Sequence, residues 1–209
     1  MPVEPLLSAR SLRVARGGVD VLEGVDLNVA PGEAVILRGP NGVGKTTLLR
    51  VLAGIQPPRA GAIVRAPDCA VLAGHKDGVK PTLSVAENLG FWAQVFGGRD
   101  ISRALGAFDL AALRDRLAGT LSAGQTRRLG LARLLVAGRK LWLLDEPTVS
   151  LDTRAVAMFA DAVRAHLAGG GAAVIATHIE LGLAEAREME LEPFRARIPV
   201  PDDPDEAFL

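Results

Sequence analysis

The sequence predicts an α/β fold, a three-layer core with an N-terminal antiparallel β region and an inserted helical subdomain. Three observations predict it. Short apolar runs of strand length alternate with segments of helical period. One run leads straight into a glycine-rich loop and then a helix. A block of helical period, without strand signals, interrupts the alternation over about residues 82–139. The 209 residues suit one domain over 1–209, its core in about 1–81 and 140–209.

Each element follows from local pattern. Leu6–Val14 and Val19–Val29 alternate apolar and polar residues around Gly17-Gly18, which reads as a hairpin. Pro31-Gly32 is a turn, and Ala34–Leu37 is a continuous apolar run, as in a buried strand. Gly39 to Gly44 is the glycine-rich loop, and Thr46–Ala53 is a helix ended by Gly54. Gln56–Pro67 is turn-rich, and Ala70–Ala73 is another strand. Val85, Leu89, Trp92 and Phe96 recur at helical spacing in the block that follows. Trp92 and Phe96 read first as that block's own core. Leu141–Leu144 and Ala173–Ala176 are buried strands, with an amphipathic helix at Thr153–Leu167 between them. A short helix is expected at Glu180–Arg187, then a strand end and a loose acidic tail over Glu192–Leu209.

Composition excludes several functions. Lys plus Arg and Asp plus Glu are 24 each, so the formal charge is zero, and aromatics are 4%. Neither value suits a nucleic-acid binder that depends on phosphate neutralisation and base stacking. One cysteine and three histidines supply neither a disulfide framework nor a metal cluster. No stretch is apolar enough to span a bilayer, and the N-terminus lacks the basic and apolar regions of a secretory signal. The expected location is cytoplasmic, with any membrane role exercised through a partner.

Three motifs carry chemistry. Gly39-Pro40-Asn41-Gly42-Val43-Gly44-Lys45-Thr46 fits the phosphate-loop pattern G-x-x-x-x-G-K-[ST]. Its glycines let backbone N–H groups converge on an anion, Lys45 reaches the β- and γ-phosphates, and Thr46 offers a hydroxyl to Mg²⁺. Gly39 through Thr46, with Thr47, are the candidate nucleotide contacts. Leu141–Leu144 delivers Asp145 and Glu146 at a strand's C-terminal end, where α/β folds bind ligands. Asp145 suits Mg²⁺, through water, and Glu146 suits the activation of water. Alone, the pair also reads as a strand end with solvated acids. Leu121-Ser122-Ala123-Gly124-Gln125 reads as a capped helix start and, by its N–H groups, as a second anion site. On local pattern the ordinary capped helix is the simpler reading, and His178 alone reads more readily as a satisfied core histidine.

These pieces in this order resemble the ATP-binding subunits of ABC transporters. Leu121–Gln125 is similar to the signature L-S-G-G-Q, with Ala123 for the first glycine. Ser150-Leu151-Asp152 matches the D-loop, and His178 matches the switch histidine. The likeness spans about residues 6–191. It implies a head-to-tail homodimer with ATP and Mg²⁺ between the phosphate loop of one subunit and Ser122, Gly124 and Gln125 of the other. It implies catalysis by Glu146, His178 and Lys45, and a link between the two sites through Asp152.

Two family features are replaced. The stretch that usually carries an adenine-stacking aromatic reads Val14–Gly18, where Arg16 is either a stacking guanidinium or a solvated turn residue. Lys76 stands where a glutamine usually links Mg²⁺ to the membrane subunit, and a lysine cannot ligate a cation. Gly74-His75, Ser84–Leu89, Leu-Ser-Ala-Gly-Gln and Leu141-Trp142 resemble the CcmA group, the haem-exporter ATPases of bacterial cytochrome c maturation. That resemblance implies membrane subunits of CcmB and CcmC type and a functional link to the haem chaperone CcmE. It implies a peripheral position on the cytoplasmic face of the inner membrane. The loop His75–Lys80 and the helical block, with Val79, Phe91, Trp92 or Phe96, would receive the membrane subunit. Three alternatives stay open: another small ABC exporter, a P-loop kinase, and a soluble mechanical ATPase. The last usually carries coiled-coil or zinc insertions that this chain lacks.

Overall fold

The computed structural model describes residues 4–74, 76–97 and 100–196. Strands β1 (Leu7–Arg16) and β2 (Val19–Val29) form the expected antiparallel hairpin. Gly17 and Gly18 both take positive φ at its turn, 59° and 86°, a backbone twist that matches the strands. After β3 (Ala34–Arg38), the loop from Gly39 leads into helix α1 (Lys45–Leu52).

The next segment corrects the expectation of a turn-rich stretch over 56–67. Strand β4 (Ala60–Arg65) runs there, antiparallel to β1, in the order β2-β1-β4. None of its side chains is buried, so no apolar alternation announces it. Backbone pairing with β1 holds it. Gly61, at φ 87°, sits against a bulge in β1 where Ser11 itself takes φ 46°. A Cβ on Gly61 would lie 2.5 Å from the carbonyl oxygens of Arg10 and Ser11.

The second sheet is parallel, in the order β5-β6-β7-β3-β8, with β5 at Ala70–Ala73, β6 at Leu141–Asp145 and β7 at Ala172–Ala176. Its last strand, β8 (Arg187–Glu190), pairs with β3, and turns and bends over 180–186 take the place of the helix expected at Glu180–Arg187. Gly182 at φ 65° breaks any helix in mid-course. Ion pairs of Arg187 with Glu33 and of Arg38 with Glu188 fasten the charged edge strand.

Side-chain alternation divides the core. Leu141, Leu143, Val174, Val35 and Leu37 face α1 and the antiparallel sheet, where Leu48, Leu49 and Leu52 meet Leu7, Leu12 and Leu27. Trp142, Leu144 and Ile175 face the other way, onto Phe159 and Val163 of α5 (Thr153–Ala168). The three layers are thus the antiparallel sheet with α1, the parallel sheet, and the helices behind it.

The helical block contains α2 (Val85–Val95), α3 (Ser102–Ala107) and α4 (Ala123–Ala137). Its Leu89, Phe108, Leu131 and Leu134 join the same apolar cluster as Trp142. Ser84 and Glu87 form a reciprocal capping box at the start of α2. Buried Asn88 accepts from the Lys80 N–H and donates to the carbonyls of Lys80, Leu83 and Ser84, which fixes the approach to α2. Trp92 is half-buried against the cluster and stacks on Phe96 at 5.8 Å, while Phe91 is exposed. Near the C-terminus, Glu192–Phe194 forms one 3₁₀ turn, and the rest of the predicted tail, 197–209, lies outside the described residues, as does His75. Among the described residues, no helix is long and apolar enough to cross a membrane.

Candidate active site

The phosphate loop joins the C-terminal end of β3 to α1, as its sequence context predicts. Gly39, Gly42 and Gly44 take φ of 139°, 84° and 119°, values that a side chain resists. Val43 alone turns its side chain into the core. Lys45 is 7% exposed, and its ammonium donates to the carbonyls of Gly39 (2.6 Å) and Pro40 (3.2 Å). It also lies 2.9 Å from His178 Nε2. Burial pulls the Lys45 pKa below the ordinary lysine value, against the opposing pull of Glu146 and Asp145. The first turn of α1 carries no acid that would compete with a bound anion.

Strand β6 brings its acids to this loop. Thr46 Oγ1 donates to Asp145 Oδ2 at 2.8 Å, so two hard oxygen donors from distant segments stand together. A small cation that keeps several waters and binds phosphate oxygens suits such a pair. Glu146 takes φ 47°, uncommon outside glycine, and lies next to His178, with Oε1 3.5 Å from Nε2. His178 Nε2 also lies 2.8 Å from Asn41 Oδ1. One neutral ring nitrogen either accepts from Lys45 or donates to Asn41 or Glu146, so these contacts exclude one another.

One cleft is lined by Asn41, Gly42, Gly44, Lys45, Thr46, Thr47, Asp145 and Glu146, with Arg16 and Val21 at its other wall. Arg16 therefore stands at the cleft, at the end of β1. Ser122, Gly124, Gln125 and Asp152 are not among its lining residues. Ser122 accepts from the Gln125 N–H at 3.2 Å, and Gln125 Oε1 accepts from the Ser122 N–H at 2.9 Å, a capping box at the start of α4. A Cβ on Gly124 would lie 3.2 Å from the Ser150 carbonyl. Asp152 caps α5 by accepting from the Ala155 N–H at 2.7 Å. Lys76 is exposed and makes no hydrogen bond or ion pair among the described residues.

Sequence reasoning passed over Arg127. It is 5% exposed and donates to the carbonyls of Glu146, Pro147 and Gly74 and to Asp77. No local signal separates it from a surface arginine on a helix.

The family described as ABC transporter matches residues 22–149. The chain belongs to the ABC transporter family. Within that family it groups with CcmA. The cytochrome c biogenesis ATP-binding export protein CcmA of Ruegeria pomeroyi is 65% identical over 97% of this chain and 99% of its own length. That of Paracoccus denitrificans is 63% identical over 91% of both chains. Among solved structures, a putative ABC transporter ATP-binding protein from Pyrococcus furiosus aligns with a TM-score of 0.81 and 26% identity, over 91% of this chain and 99% of that one. This ABC family member is thus an ATPase with the fold of ABC ATP-binding domains, as its motifs predict.

Proposed function

We propose that this chain is the ATP-hydrolysing subunit of a membrane complex that serves haem export and cytochrome c maturation. The observation that carries the reading is the convergence of Lys45, Thr46, Asp145 and Glu146 at one cleft, with His178 beside Lys45 and Glu146, in a chain 65% identical to a CcmA protein. The loop from Gly39 to Gly44 cradles the ATP phosphates together with Thr47. Lys45 exchanges its carbonyl partners for phosphate oxygens. Thr46 and Asp145 hold Mg²⁺, which when bound neutralises charge on the β- and γ-phosphates.

Glu146 accepts a proton from water as the water oxygen bonds to the γ-phosphorus. The bond from that phosphorus to the bridging oxygen breaks, leaving ADP and phosphate. His178, freed from Lys45, donates to the γ-phosphate and orients the water. Ser122, Gly124 and Gln125 act across a head-to-tail homodimer, which accounts for their absence from the cleft within one chain. Asp152 links the two sites.

The domain spans 1–209, and its helical part, 82–139, faces membrane subunits of CcmB and CcmC type, with Val79 and exposed Phe91 near the contact. Hydrolysis energises release of haem-loaded CcmE on the cytoplasmic face of the inner membrane. No nucleic acid takes part. Glu146→Gln in the native host tests the whole reading: ATP binding persists, hydrolysis fails, and haem-stained membranes lose c-type cytochromes. Normal c-type cytochromes beside a proven ATPase defect overturn the haem assignment and leave another small exporter as the answer.

A further inference from the structure

Arg127 joins three segments that are far apart in the chain. It sits one turn into α4, behind the Ser122 cap. Its Nε donates to the Pro147 carbonyl at 2.9 Å, and Nη2 donates to the Glu146 carbonyl at 2.7 Å. Nη1 donates to the Gly74 carbonyl at 3.0 Å and to Asp77 Oδ1 at 2.6 Å. Four of the five N–H bonds of the guanidinium are thus used in a planar fork that lysine cannot imitate. The ion pair is largely buried, with side chains 6% and 21% exposed.

The helix is shaped to receive this loop. Gly130 lies three residues beyond Arg127, on the same face. A Cβ there would fall 2.6 Å from the Asp77 Cβ, so only glycine admits the aspartate. The loop so held is the one that carries Lys76. On the far side, the Arg127 fork grips the carbonyl of the residue whose carboxylate faces the cleft, in a left-handed conformation at φ 47°. A residue in that region keeps its place only when its surroundings hold it.

We propose that Arg127 is a positioning residue that sets the orientation of Glu146 and ties it to Gly74 and Asp77. The inference rests on the role of Glu146 proposed above. A displacement of the loop pulls on Asp77, turns the guanidinium, and shifts the Glu146 backbone. The same displacement bears on α4 and hence on the Ser122 turn.

The test uses the complex purified from the native host through a tag on this chain. Arg127→Lys keeps the charge for Asp77 but loses the fork on the two carbonyls. The expected kcat, per bound nucleotide, falls on the order of ten- to a hundred-fold. The KM for MgATP stays within about two-fold, a split between kcat and KM that a general loss of structure would not give. The exchange Arg127→Asp with Asp77→Arg restores an ion pair but no carbonyl donors to Glu146, so it does not restore kcat. Should Arg127→Lys fail to fold, Gly130→Ala displaces Asp77 without altering Arg127 and lowers kcat in the same manner. Wild-type kcat in folded Arg127→Lys or Gly130→Ala, or rescue by the exchange, overturns the inference. Glu146→Gln measured alongside separates the two readings: a fully active Glu146→Gln refutes the role of Glu146 itself, whereas an inactive one beside a fully active Arg127→Lys refutes only the role of Arg127.

Discussion

Gly61→Ala tests the strand that sequence pattern does not announce. Gly61 lies at φ 87°, so an alanine there costs about 1–2 kcal/mol in backbone strain alone. Its Cβ would also stand 2.5 Å from two carbonyl oxygens of β1, and 2.8 Å from the Ser11 carbonyl carbon. These are backbone atoms in a paired strand and cannot swing aside as a side chain can. Relief requires that β4 part from β1 near Arg13↔Ala60, which loses one or two ladder hydrogen bonds at about 1 kcal/mol each. The sum is about 2–4 kcal/mol, a large share of the roughly 5–15 kcal/mol that holds a domain. At about 2–4 °C per kcal/mol for a chain of this size, the melting temperature falls by roughly 4–16 °C. Gly24→Ala is the internal control. It has φ 72° in the same sheet but open space around its Cβ, so it carries the strain term without the collision. Thermal unfolding followed by circular dichroism compares the two variants with wild type. Equal melting temperatures for Gly24→Ala and Gly61→Ala would refute the close approach of β4 to the β1 bulge.

Further expectations concern the site and a buried ring. Lys45→Met removes the ammonium at the phosphate cradle. A charged hydrogen bond is worth about 1.5–3 kcal/mol, so ATP affinity by calorimetry falls roughly ten- to a hundred-fold, and an unchanged Kd refutes the phosphate role. Arg16→Ala weakens nucleotide binding if its guanidinium stacks on adenine, and equal affinity for ATP and inorganic triphosphate in both proteins speaks against stacking. His166 stacks on Trp142 with ring centroids 3.9 Å apart, and burial lowers its pKa despite bonds to the carbonyls of Ala172 and Lys140. The unfolded chain therefore takes up this proton first as pH falls. The stabilisation is complete above the ordinary value of 6.5 and declines below it until the ring protonates in the folded state. Melting temperatures of wild type and His166→Phe between about pH 5 and 7 should diverge on the acid side, and parallel curves count against the linkage.

Much of this molecule was legible from its sequence because the signals were local. β3, β6 and β7 are buried on both faces, so they read as continuous apolar runs bounded by turns. The phosphate loop is legible because convergent N–H groups demand glycine at set intervals, and the cap at Ser122 lies within three residues of the N–H that it binds. The family likeness then joined motifs whose separate readings left ordinary alternatives open.

Tertiary structure decided the rest. β4 and β8 are edge strands held by backbone pairing, with surface ion pairs added at β8, and neither buries enough apolar area to imprint a period of two on its sequence. The short helix expected at Glu180–Arg187 failed because Gly182 adopts a left-handed turn and the sheet offers Arg187–Glu190 a partner in β3. Arg127 is the clearest case. Its partners lie 19, 20, 50 and 53 residues away, so its sequence neighbours carry no trace of them. Sequence by itself determined which residues can bind phosphate, accept a proton and cap a helix, because those capacities belong to side chains and short backbone turns. Only the fold determined which of them meet, because burial, register and the reach of one guanidinium depend on segments that lie far apart in the chain.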